Sequence, residues 1–118
     1  MEFKAFLHAF MLMPAARAHE DRGFAIARSL NDKRQTSYIL ERKAQLALLE
    51  GDPELCIRLA SASEATRSMA GEVAPKDWRE IVSKTVVEAR SRLTDLAADN
   101  AWRVGKAMTM EEAIASVV

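Results

Sequence analysis

Between residues 46 and 59 the chain reads Leu-Ala-Leu-Leu-Glu-Gly-Asp-Pro-Glu-Leu-Cys-Ile-Arg-Leu, and this junction constrains the fold more than any other feature. Gly51 supplies the left-handed stop of one helix. Asp52 supplies the N-cap of the next, and Pro53 sits at the first helical position, where a missing N–H costs nothing. Three residues therefore end one helix and start another, so the two must be antiparallel neighbours. Helical spacing continues on both sides, and alternation of the strand type persists nowhere.

On the first helix of this pair Leu40, Ala44, Ala47 and Leu48 form one apolar stripe, and Ile39, Leu46 and Leu49 form a second beside it. An arc that wide places the helix in the middle of a stack. Asn31 suits a helix stop before it, and Asp32 with Gln35 suits its cap. The second helix carries Leu55, Leu59, Ala62 and Met69, with the small residues Cys56, Ala60 and Ser63 alongside, and Gly71 closes it.

Upstream, Phe3, Phe6, Leu7 and Phe10 share one face of a helix that Pro14 ends or kinks, and a modest stripe of Phe24, Ala27 and Leu30 follows on a second helix from Ala15 to Leu30. Downstream, 72–76 form a Pro-containing connector. Asp77 with Glu80 is expected to cap a long helix whose spacing runs from Trp78 through Leu93 to Leu96. A further turn or two is expected over Asp99–Ala107, loosened at Gly105. Thr109 and Glu112 form a capping box for a short last helix from Met110, pinned by Trp102, Val104, Met108, Ala113 and Ile114. The expectation is an all-α chain of six or seven helices. It is one domain over 1–118, with apolar N-terminal helices at 1–30, a helix-turn-helix pair at 31–71 and C-terminal helices at 77–118.

Lys+Arg and Asp+Glu number 17 each, so the net charge is zero. That argues against a strong sequence-independent nucleic-acid binder and gives no electrostatic reason for membrane association. With Cys56 as the single cysteine no internal disulfide forms, and a cytoplasmic location is expected. The Phe3–Met13 run followed by Ala16-Arg17-Ala18 has the outline of a signal peptide. However, Glu2 cancels Lys4, His8 interrupts the run, and the run is too short to span a bilayer. A helix packed on its neighbours is the better reading.

No catalytic constellation emerges. His8 and His19 are separated by Pro14 and have no third ligand at metal spacing, and His19-Glu20 does not extend to a His-Glu-x-x-His motif. Cys56 sits among apolar residues with no nearby histidine, which favours a small buried core residue over a nucleophile. Glu111 and Glu112 point in different directions on a helix and cannot act as a pair on one substrate. No metal, no cofactor and no enzymatic activity are expected.

The Gly51-Asp52 pair resembles a degenerate tetratricopeptide-like unit. Leu40, Ala44 and Ala47 stand on its first helix and Cys56, Ala60 and Ser63 on its second, while the usual large Trp and Tyr of the first helix are missing. From Leu30 onward the order of elements resembles the C-terminal region of bacterial STAND-type ATPase regulators, of the LuxR-like or winged-helix kind. The residues that carry this are Asn31-Asp32-Lys33-Arg34, Leu59-Ala-Ser-Ala-Ser-Glu-Ala65, Val87-Glu-Ala-Arg90 and the closing Trp102-x-x-Gly105-Lys-Ala-Met-Thr-Met-Glu-Glu-Ala-Ile114. The resemblance implies antiparallel hairpins stacked as an α-α superhelix. It also implies a non-catalytic C-terminal sensory or scaffolding array of a transcriptional regulator, present here either as a fragment of such a regulator or as a free-standing remnant. No phosphate loop and no basic recognition helix is present, so no nucleotide hydrolysis and no direct nucleic-acid contact are expected.

In such a unit the first helix lines the concave, partner-binding side. Arg34, Tyr38, Arg42 and Gln45 fall along one face of it and are the expected site for a protein or peptide partner, or for upstream domains of the same regulator. Without the resemblance the same row is an ordinary solvated face. Phe3, Phe6 and Phe10 are the expected self-association surface of a homodimer. Trp78 and Trp102 read either as interface anchors or as core pins. The alternative function is small-ligand sensing in a pocket near Tyr38 and Trp78 or Trp102, and a well-formed apolar cavity with converging polar groups would favour it.

Overall fold

The computed structural model describes residues 33–117, and the regular elements among them are five α-helices: α1 Lys33–Leu49, α2 Pro53–Ala70, α3 Lys76–Arg90, α4 Asp95–Lys106 and α5 Met110–Ala115. The expected helices upstream of Lys33, with Phe3, Phe6, Phe10, Asn31 and Asp32, lie outside the described residues. Among the described residues no helix is long and apolar enough to cross a membrane.

The α1–α2 junction forms as its residues require. Gly51 takes φ 84°. Its N–H donates to the Leu48 carbonyl, and the Asp52 N–H donates to the Ala47 carbonyl, satisfying two of the four carbonyls left open at the helix end. Asp52 Oδ1 then accepts the Leu55 N–H at 3.1 Å, and Pro53 opens α2. The same arrangement recurs at the end of α2, where Gly71 takes φ 67° and the Glu72 N–H donates to the Arg67 carbonyl.

Helix α2 is the centre of the domain and touches all four other helices. Leu40 and Leu48 of α1 and Cys56, Ile57 and Leu59 of α2 are fully buried in one core, which Ala98 and Ala101 of α4 and Ala113 of α5 complete. A smaller cluster of Ile39, Met110 and Ile114 clips α5 onto α1. The capping box of α5 is present. Thr109 Oγ1 accepts the Glu112 N–H, and Glu112 Oε1 accepts the Thr109 N–H, each at 3.1 Å.

Three local expectations are corrected. Helix α3 starts at Lys76 behind an extended Pro75 (φ −53°, ψ 145°) with no side-chain cap, so Asp77 lies inside the first turn, where its charge suits the helix N-terminus. The expected long helix through Leu96 is two helices. Thr94 takes an extended backbone and its hydroxyl accepts the Ala97 N–H at 3.1 Å, which starts α4 and leaves Leu96 81% exposed. Gly105 loosens nothing: it is buried inside α4, where α4 crosses α2. A Cβ there would lie 2.8 Å from the backbone C and Cα of Arg58 and closer still to its carbonyl oxygen. Glycine therefore permits the close approach, and the Ser61 hydroxyl secures it by donating to the Trp102 carbonyl at 2.6 Å.

Candidate functional site: a groove walled by α2 and α3

The most concentrated polar chemistry in the described residues is a buried cluster around Glu41. On α1, Glu41 stands beside Leu40 and one helical turn before Ala44, inside the apolar stripe. On α2, Arg67 follows Ala60 and Ser63 at i+7 and i+4, on the face that α1 covers. Their guanidinium and carboxylate meet as a fork. Arg67 Nη2 donates to Glu41 Oε1 at 2.6 Å and Nε donates to Oε2 at 3.0 Å. The Trp78 indole N–H donates to the same Oε1 at 2.8 Å, and the Ser63 hydroxyl donates to Oε2 at 3.2 Å. Glu41 thus accepts three full hydrogen bonds from α2 and α3 and shares the single Ser63 hydroxyl proton with the Ala60 carbonyl, 2.8 Å from that hydroxyl, while its side chain is 6% exposed.

Arg67 Nη1 donates in turn to Glu72 Oε1 at 2.5 Å, which fixes the connector. Burial alone would lower the Arg67 pKa. The hydrogen bonds and charges of Glu41 and Glu72 outweigh it and hold the guanidinium above its ordinary value. Arg34 stands 3.4 Å from Glu72 at the surface, and at 76% exposure it adds little.

This cluster closes one side of a groove of about 520 Å³. The α2 wall is Ala60, Ser63 and Ser68 with the charged Glu64 and Arg67. The α3 wall is Val82, Val86 and Val87 with Arg79 and Arg90 on either side, and Trp102 of α4 also lines the groove. Only Thr85 and Ala89 of the fifteen α3 residues are buried, and Val82 and Val86 line the groove. Val87 is 65% exposed and Val73 75%. A second recess of about 450 Å³ lies on the far side of the Arg67–Glu72 pair, lined by Arg34, Tyr38, Pro75 and Trp78. There Tyr38 and Trp78 pack with ring centroids 4.9 Å apart.

The row expected to bind a partner divides. Arg34 and Tyr38 reach solvent, while Arg42 is 4% exposed and Gln45 fully buried, so these four residues do not share an open face. Trp78 is a pin, tying α3 to the α1 carboxylate. Trp102 is partly buried on the core and forms part of the groove, with the Lys106 ammonium 5.9 Å from its ring centroid. Glu41 and Arg67 were not singled out in the sequence. The one available signal was a carboxylate inside an apolar stripe, and its partner lies 26 residues away.

Cys56 is buried, and burial pushes its thiol up to about 12, with Arg92 opposing and Asp52 adding slightly. Between about pH 9 and pH 12 the unfolded chain loses the thiol proton while the folded chain keeps it. The contribution to stability is complete below pH 9 and falls as pH rises through this window, by at most ~1.4 kcal/mol per pH unit. Urea unfolding of Cys56→Ala at pH 8 and pH 10.5 is expected to show a shallower loss between the two pH values than the parent chain. An equal loss in both proteins would show that the thiol ionises in the folded state.

Among the described residues no group of three or more His, Cys, Asp and Glu side chains is placed to hold a metal ion, and His8 and His19 lie outside those residues. The fold and the groove define an all-helical domain organised around one central helix, with an apolar cleft beside a buried ion pair. Comparison with protein-family models, with curated proteins and with solved structures found no match.

Proposed function

We propose that this chain is a non-catalytic, small-ligand-sensing helical domain and that the α2–α3 groove is its ligand site. One observation carries the reading: an apolar cleft of about 520 Å³, inside the ~300–1,000 Å³ range of small-molecule sites, with polar groups converging at one side. The cluster beside it joins α1, α2, α3 and the connector, so a ligand that moves α3 acts directly on those contacts. The setting we propose is the C-terminal part or remnant of a cytoplasmic bacterial STAND-type regulator, on the strength of the Trp102–Ile114 segment and the order of elements before it.

A second reading, a tetratricopeptide-like scaffold for a protein partner or a homodimer, is favoured by the exposure of Val73 and Val87 at the groove. A thermal-shift screen with chemically diverse small molecules separates the two. Under the first reading some compounds stabilise saturably, by about 2.7 kcal/mol at a hundred times Kd. Ser83→Trp, which adds bulk at an exposed groove position, abolishes the effect without lowering the basal Tm. The absence of any saturable stabiliser, together with concentration-dependent self-association or capture of a defined peptide, would overturn the first reading in favour of the second.

A further inference from the structure

The charges around the groove assign it a ligand class, an inference that rests on the groove being the ligand site. Arg67 pairs with both Glu41 and Glu72, and Arg34, 3.4 Å from Glu72, supplies the second positive charge; Glu64 is paired by Lys106 at 3.0 Å, and Arg90 by Asp99 at 2.9 Å. Arg79 is different. It is exposed, lines the groove, and has no ion-pair or side-chain hydrogen-bond partner among the described residues. It also stands three residues before Val82 and seven before Val86, so all three share one face of α3.

The groove therefore offers the apolar side chains of Val82, Val86 and Trp102 together with one unpaired guanidinium on the α3 wall. A guanidinium presents a planar fork matched to a carboxylate. We infer that the groove takes a free aliphatic monocarboxylate, its chain against Val82, Val86 and Trp102 and its carboxylate on Arg79. A dicarboxylate would bring its second charge against the valines or toward Glu41 and Glu72, and an ammonium would face Arg79; both are disfavoured by the same arrangement.

The test titrates decanoate and, in parallel, decanol into the full chain below their aggregation limits, with amide and indole chemical shifts as the readout. Decanoate is expected to bind saturably, shifting Val82, Val86 and the Trp102 indole. Arg79→Gln is expected to weaken decanoate about tenfold or more while leaving decanol unchanged. Lys76→Gln, which changes an exposed charge outside the groove lining, is expected to leave both unchanged. Ser83→Trp is expected to abolish both. If decanol matches decanoate and Arg79→Gln changes neither, the carboxylate assignment is overturned and the groove reading stands. If neither probe shifts the groove resonances, or if Ser83→Trp leaves their binding intact, the groove reading itself falls.

Discussion

Replacing Glu41 with alanine is expected to destabilise the domain by about 3–5 kcal/mol, the usual cost of leaving a buried partner charge uncompensated. A domain of this size holds roughly 5–15 kcal/mol in all, so the change removes a large part of it. Arg67 would keep one ion pair, to Glu72, and lose its fork. The Trp78 indole N–H and the Ser63 hydroxyl would lose the same acceptor, although Ser63 also donates to the Ala60 carbonyl at 2.8 Å and is the less affected. The companion variant Glu41→Leu with Arg67→Met replaces both charges by apolar groups of similar length. It is expected to recover most of the loss, because the desolvation of two ions disappears with their attraction. Urea midpoints at constant m-value measure both. A cost below about 1 kcal/mol for Glu41→Ala would place the pair in solvent and would contradict its burial.

Gly105→Ala is expected to destabilise as well, against the ordinary rule for a helix interior. Helix propensity alone favours alanine by about 1 kcal/mol. The added methyl, however, would fall 2.8 Å from two backbone atoms of Arg58 and closer to a third, and backbone cannot rotate aside as a side chain does. Overpacking of this kind costs roughly 1–3 kcal/mol and outweighs the propensity gain when both helices are held. They are held here, by the buried Ala98 and Ala101 contacts and by the Ser61 hydroxyl on the Trp102 carbonyl. The expected result is a lower Tm with a shifted Trp102 emission. Val104→Ala, one residue away and 44% exposed, is expected to change Tm little. A rise in Tm for Gly105→Ala would show that α2 and α4 do not approach so closely.

The sequence and the structure part at places that share a cause. Gly51, Asp52, Pro53, Thr109 and Glu112 were legible because each acts on a neighbour within a few residues, through a cap or a left-handed stop. The Leu40, Ala44 and Leu48 stripe was legible because period alone marks a buried face. The break at Thr94 was missed because apolar spacing continued across it to Leu96. A cap and a spacing then pointed to different boundaries, and the cap prevailed. Gly105 was read as a weak point because its role depends on Arg58, 47 residues away and invisible to any local pattern.

The candidate site was less legible than the fold. Trp78 and Trp102 were recognised as residues of consequence, and one stands at each recess, Trp102 at the groove and Trp78 at the second. Arg42 and Gln45 were placed on an open face by periodicity, and burial puts them elsewhere. Glu41, Arg67 and Arg79 are ordinary charged residues until the helices are assembled.

By itself the sequence determined the helical class, the antiparallel pair about Gly51 and the capped ending at Thr109. These follow from hydrogen bonds and apolar periods that close within one or two helical turns. Tertiary structure alone decided that α2 would be central, that Glu41 would meet Arg67, and that α3 would stand off from α2 to leave a groove with Arg79 unpaired on its wall. Those outcomes depend on how the side chains of one helix meet those of another. No single segment contains that information, because it belongs to the volume left between segments.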